Sequence, residues 1–158
     1  MQETESMAEN KPLNKDERLE TPVRLETAMV EAERAAMESA GWRRQYSTSD
    51  LLRAWARTID DIGHYRPHGS DDYQHHLSYR MRLDRILVEL QDLGYKAELG
   101  WLQREVDRLD QIFVERSTDD SEGLILRVEK DNPVYWFMRR VPNDKNVVDH
   151  LRMIQPKR

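Results

Sequence analysis

Two stripes of apolar residues in the middle of the chain are out of phase with each other. The first runs Tyr79, Leu83, Ile86, Leu90, Leu93, and the second Leu99, Leu102, Val106, Leu109, Phe113. Each has the three-and-four spacing of one buried helix face. Extending the first stripe forward meets Ala97, Gly100, Arg104, Asp107 and Gln111, which are mostly polar. The second stripe is displaced by two residues, about 200° around a helix. Gly94 sits where the phase is lost, so the pattern predicts two helices folded back on each other, with Gly94 as a left-handed cap.

The same logic places further helices on either side. Thr21-Pro22 is a hydroxyl cap followed by a first-turn proline. It predicts a helix running to Ala40 and stopping at Gly41, with Leu25, Met29, Ala32, Ala36 and Ala40 inward. Ser47 opens a second helix, with Asp50 at capping-box spacing and the stripe Leu51, Leu52, Trp55, Ile59, Ile62. Gly63 closes it. Residues 64–70 hold Pro67 and Gly69 and read as a loop. Ser70 is then the cap of the third helix, whose flank carries Arg80/Asp84 and Arg85/Glu89 four residues apart. As surface pairs in the basic-first order, each is worth a few tenths of a kcal/mol (about 0.2–0.5).

Beyond the fourth helix, which spans about 96–116, residues 117–123 (STDDSEG) form a turn-rich linker and the period changes. Leu124, Leu126 and Val128 alternate with Ile125, Arg127 and Glu129. Asp131-Asn132-Pro133 is a turn, and 134–141 is aromatic and β-branched. These signals predict a β-hairpin. The competing reading is a helix opening at Asn132-Pro133 with Val134, Phe137, Met138 and Val141 inward. Asn143 then caps a short last helix that uses Val147, Val148, Leu151 and Ile154. The predicted fold is mainly α: an antiparallel bundle of about four helices over 21–116. A small C-terminal hairpin and short helix, 117–158, pack on it within the same domain. Residues 1–20 are polar, acidic and aperiodic, and read as a disordered tail.

Composition narrows the chemistry. The 158 residues suit one domain. Absence of cysteine removes disulfides, thiolate metal sites and a cysteine nucleophile. No apolar run reaches the ~18 residues of a membrane span. Gln2, Glu3, Glu5 and Glu9 are the opposite of a signal peptide's basic start, so the expectation is a soluble cytoplasmic protein with no membrane partner. The net charge of −5 argues against general attraction to nucleic acid. The segment 124–158 nevertheless leans basic.

Three groups of residues could carry function. The first is 64–76, which holds four of the five histidines together with Asp71 and Asp72. Histidine titrates near neutrality and is the commonest metal ligand. On the third helix Asp72, His75 and His76 extend the apolar stripe toward one end of the core. With His64 and His68 they compose a candidate site for a divalent transition metal, or for acid–base chemistry. Only one Asp-x-x-His is present, against the paired motifs of di-metal bundles, and there is no His-Glu-x-x-His. The bland reading of these histidines is a polar flank paired with nearby aspartates.

The second group is Trp136, Arg139 and Arg140 in an aromatic–arginine run. The third is Trp101 and Ile112, which share a face roughly 110° from the main stripe, joined by Trp42 in an interhelical loop. These six residues are the candidate partner-binding set; each could equally cover the core. No phosphate loop, nucleophile elbow or kinase signature occurs, and no catalytic residue is assigned. The expectation is a non-catalytic protein–protein interaction module, a small regulator, inhibitor or adaptor of bacterial or phage type, that needs no cofactor. Its partner is another protein, a second copy of the chain included. The alternatives are a metal- or histidine-dependent helical enzyme at 64–76, and nucleic-acid binding through Arg127, Arg139, Arg140 and the basic C-terminus.

Overall fold

A computed structural model describes residues 23–62, 70–124 and 132–153. Four helices form the body: α1 (Val23–Ala40), α2 (Thr48–Asp61), α3 (Ser70–Leu93) and α4 (Lys96–Glu115). A short strand β1 (Ser117–Asp119) follows, then a 3₁₀ segment (Pro133–Arg139), strand β2 (Arg140–Pro142) and α5 (Lys145–Met153). Helix α3 lies against α1, α2, α4 and the 3₁₀ segment, which makes it the central element. Among the described residues no helix is long and apolar enough to cross a membrane. The predicted 1–20 tail, Gly63 and Ile154 lie outside the described residues.

The phase break resolves as predicted. Gly94 takes φ +83°, its N–H donates to Gln91 O (3.1 Å), and the Tyr95 N–H donates to Leu90 O (3.0 Å). Those two bonds are the Schellman closure of a helix. Gly41 (φ +70°) ends α1 in the same way, with Trp42 N–H donating to Met37 O (3.0 Å). Along α4 the stripe Leu102, Val106, Leu109, Phe113 is fully buried. Two stripe ends depart from expectation. Leu93 of α3 and Ala40 of α1 are exposed, because each is the final residue of its helix and the chain turns away there. Ala28, Met29, Ala32 and Ala36 form the inner face of α1, small enough to bring it close to α3.

Helix α2 is capped twice. Ser47 Oγ accepts from the Asp50 N–H (3.0 Å), as its spacing predicts. The second cap comes from α1: Glu33 Oε2, a buried carboxylate, accepts from the Thr48 N–H (2.6 Å) and Thr48 Oγ1 (2.7 Å). Leu51, Leu52, Trp55, Ile59 and Ile62 all point into the core.

The small sheet is a two-stranded antiparallel ribbon, but it uses other residues than those expected. Ser117 pairs with Pro142, Thr118 with Val141 and Asp119 with Arg140. The first strand therefore falls in the segment read as a linker. Most of the segment read as the second strand is instead the 3₁₀ turn. Asn132 Oδ1 accepts from the Val134 N–H (3.0 Å), so Asn132-Pro133 acts as a helix start. Phe137 and Met138 are both buried. Two successive inward side chains are incompatible with the alternation of a strand. The expected strand partner over 125–129 lies outside the described residues. Helix α5 is capped by Asp144 rather than by Asn143, through the N–H groups of Asn146 (2.9 Å) and Val147 (3.2 Å).

The Arg80/Asp84 pair is not the surface pair its spacing suggests. Arg80 is 5% exposed. Its Nε donates to both oxygens of Asp110 on α4 (2.9 and 3.1 Å), Nη2 donates to Asp110 Oδ2 (2.8 Å), and Nη1 donates to Asp84 Oδ1. Trp55 Nε1 of α2 donates to Asp110 Oδ1 (3.1 Å). The guanidinium also lies 5.3 Å from the centre of the Phe137 ring. Burial alone would lower the Arg80 pKa, and the hydrogen bonds and charge of Asp110, then Asp84, outweigh it. Asp84 is less well served. Its Oδ2 is buried without a partner among the described residues, and desolvation lifts its carboxyl above the ordinary range despite Arg80.

Removing one side of a buried ion pair strands the other, so Arg80→Met should cost about 3–5 kcal/mol. Asp84→Asn should stay within about 1 kcal/mol, because it keeps an acceptor for Arg80 and removes a poorly solvated charge. In the wild type, the Asp84 contribution is complete below the ordinary Asp range and is lost as pH rises through the raised folded-state value. Urea titrations at neutral and mildly acidic pH check all three. The variant D84N should lose that pH-dependent increment.

Candidate functional site

A small pocket lies where α2 meets the start of α3. The C-terminal half of α2 and the first turns of α3 enclose about 90 Å³, lined by Ala54, Arg57, Thr58, Asp61, Ile62, Tyr73, His76 and Tyr79. The helical period puts Tyr73 and His76 on one side of α3 and turns His75 away from it. His76 is half-buried at the pocket and His75 is exposed. The His75 ring lies 5.5 Å from that of Tyr79 and 5.8 Å from that of His76. The structure therefore brings His76 to Asp61 and Arg57 at one pocket and leaves His75 outside it. His64, His68 and the Asp72 side chain lie outside the described residues. Among the described residues no three His, Asp or Glu side chains converge as a metal centre requires.

The interior polar groups of this pocket serve the fold. Tyr73 Oη donates to the Arg140 carbonyl (3.1 Å), and Thr58 Oγ1 donates to the Ala54 carbonyl (2.9 Å). Burial drives the Tyr73 phenol well above its usual range; Asp120 adds to this and Arg140 opposes it. Tyr73 is therefore a neutral donor, not an acid–base group. The Tyr79 hydroxyl and His75 Nε2 are 3.4 Å apart, too long for a good hydrogen bond. The volume is below the ~150 Å³ that admits a benzene ring. Its chemistry is that of a few-atom polar recess with charge at the rim.

The aromatic candidates occupy the surface. Trp42, Trp101, Ile112 and Trp136 are half-buried, each resting on the core with part of its side chain outward. Trp136 stands 6.0 Å from Phe113 and 5.8 Å from Phe137, ring centre to ring centre. Beside it Val134 is 59% exposed, and Arg139 is exposed. Arg140 has a different duty. Its Nε donates to Ser117 Oγ (2.7 Å), Nη1 to Asp119 Oδ1 (3.1 Å), and Nη2 to the carbonyls of Ser117 (2.9 Å) and Val114 (3.3 Å). That guanidinium holds the β1–β2 ribbon to the end of α4.

Two surface features escape the sequence. Val134 reads as a strand residue, and its exposure follows only from the 3₁₀ turn. Tyr46 has no place in the apolar stripe of the helix that Ser47 opens, yet the guanidiniums of Arg44 and Arg82 lie 4.5 and 4.4 Å from its ring centre. The clue available was the run Trp42-Arg43-Arg44 two residues before an aromatic. Comparison with protein-family models, curated proteins and solved structures returned no match.

If Tyr73 acts as a structural donor, Tyr73→Phe should lower unfolding stability by about 1–2 kcal/mol, the cost of an unmade buried hydrogen bond. Helical circular dichroism should stay unchanged. Chemical denaturation measures the difference.

Proposed function

We propose that the chain is a non-catalytic protein–protein interaction module of the regulator, inhibitor or adaptor kind. One observation carries this reading: three of the four tryptophans, Trp42, Trp101 and Trp136, keep part of their rings at the surface on firmly packed supports. Tryptophan and arginine are the residues most enriched where binding energy concentrates. The best-formed patch is the 3₁₀ turn, where Val134, Trp136 and Arg139 face outward over buried Phe137 and Met138. A patch anchored from below loses little conformational freedom on binding, so more of the contact energy appears as affinity. Trp101 and Ile112 offer a second, smaller apolar area on α4. The pocket at His76 supports the reading indirectly, since its interior hydroxyls are bonded within the fold.

A photo-crosslinking amino acid at position 134, in the cells that make the protein, tests the patch. A discrete covalent adduct should form at 134, be absent when the probe replaces exposed Arg104, and disappear with Arg139→Glu. Identical patterns at 134 and 104, or no adduct at either, would overturn the assignment.

A further inference from the structure

The Tyr46 cluster gathers two guanidiniums on one aromatic ring. Several arginines pair with acids: Arg53, Arg85, Arg108 and Arg152 each lie within 3.1 Å of a carboxylate oxygen. The chain as a whole carries −5. Around Tyr46 the pattern reverses. Arg44 and Arg82 share its ring, exposed Arg43 adjoins them in the chain, and among the described residues none of the three has a carboxylate at ion-pair distance. The only hydrogen bond from Arg82 among the described residues goes from Nη1 to Ser78 Oγ (2.8 Å), and its Nε is buried without a partner.

The arrangement is also held in place. Gly41 and the Trp42 N–H bond to Met37 O fix the start of the loop. Trp42 packs edge-on against Tyr46, 5.6 Å between ring centres at 87°, and stays half-exposed. Stacking on an aromatic ring orients a guanidinium plane without using its N–H groups, which remain available to a planar, bidentate acceptor. Two guanidiniums held on one ring beside a half-exposed tryptophan, with exposed Arg43 adjoining in the chain, therefore make an anion-binding surface with apolar area attached.

We propose that Arg44 and Arg82, set on Tyr46 beside Trp42, together with exposed Arg43 next in the chain, dock an acidic segment of a partner protein through its aspartate or glutamate carboxylates. This rests on the interaction-module reading and specifies the partner's chemistry at a second surface. Carboxylates would give Arg44 and Arg82 the planar, bidentate partner that Arg80 finds in Asp110. Nucleic acid is the poorer fit. A phosphate backbone needs a basic stripe many residues long, whereas this is one spot on an acidic protein.

The test uses the full chain and a short glutamate-rich synthetic peptide, followed by NMR of indole and arginine side-chain N–H groups. The Trp42 indole and Arg44 Nε signals should shift and the Trp101 indole should not. Affinity should fall with added salt, and by about tenfold or more in R43A/R44A, which alters exposed side chains and should leave the melting temperature unchanged. Absence of peptide binding, equal affinity of the double variant, or tighter binding of a single-stranded oligonucleotide at the same signals would each overturn the proposal. Crosslinking at position 134 is independent of all three, so the broader reading can stand or fall separately.

Discussion

The ion cluster around Arg80 is the joint on which the helical body depends. One guanidinium on α3 meets Asp110 on α4, Asp84 on its own helix and the Phe137 ring of the 3₁₀ segment, and Asp110 in turn takes the Trp55 N–H from α2. Four elements thus share one polar centre inside an apolar core. Hydrophobic burial is indifferent to small rotations of a helix, whereas a bidentate arginine–carboxylate contact is not. The cluster therefore sets the rotation and height of α4 against α3. That placement leaves the faces bearing Trp101 and Ile112 turned outward and the 3₁₀ turn seated over Phe113. Its two carboxylates carry one more negative charge than the single arginine balances, and Asp84 bears the cost.

Most of the helical layout could be read from the chain because it is local. Caps such as Ser47 and Gly94, and periods such as Leu102–Phe113, depend on residues within a turn or two of each other. Arg80 and Asp110 stand next to Tyr79 and Leu109, at the edges of the apolar stripes. A spacing argument along one helix finds only Asp84 for Arg80, and so places the pair in solvent. The partner thirty residues away becomes visible only when the helices are packed. The C-terminal ribbon and short helix were also expected, but the residues that form the strands were misplaced for a related reason. Val134 to Val141 has strand-forming residues, but Asn132-Pro133 sets a tight turn and the core demands Phe137 and Met138 together.

The candidate sites divide along the same line. The sequence directed attention to the beginning of α3, where His76 lines a small recess. It could not say that adjacent His75 faces away from that recess, or that Tyr73 and Thr58 have their hydroxyls occupied by backbone carbonyls. Conversely, the aromatic residues were legible as types without a location. Trp55 became the fully buried one, and Trp42, Trp101 and Trp136 stayed at the boundary with water. Arg140, indistinguishable from Arg139 in the sequence, clamps the ribbon because the strand register brings Ser117 and Asp119 beside it.

The Glu33 contact makes the first two helices one cooperative unit. A helix start ordinarily finds its cap within its own few residues, and fraying there stays local. Here part of the cap of α2 belongs to α1, so any loosening of α1 withdraws a buried acceptor from the Thr48 N–H and hydroxyl at the same time. Opening of the N-terminal helix and fraying of α2 then become a single event, with one shared free energy of exposure to solvent exchange or proteolysis. The first helix, with its alanine face, is in this way held to the body by a buried polar contact as well as by its modest apolar surface.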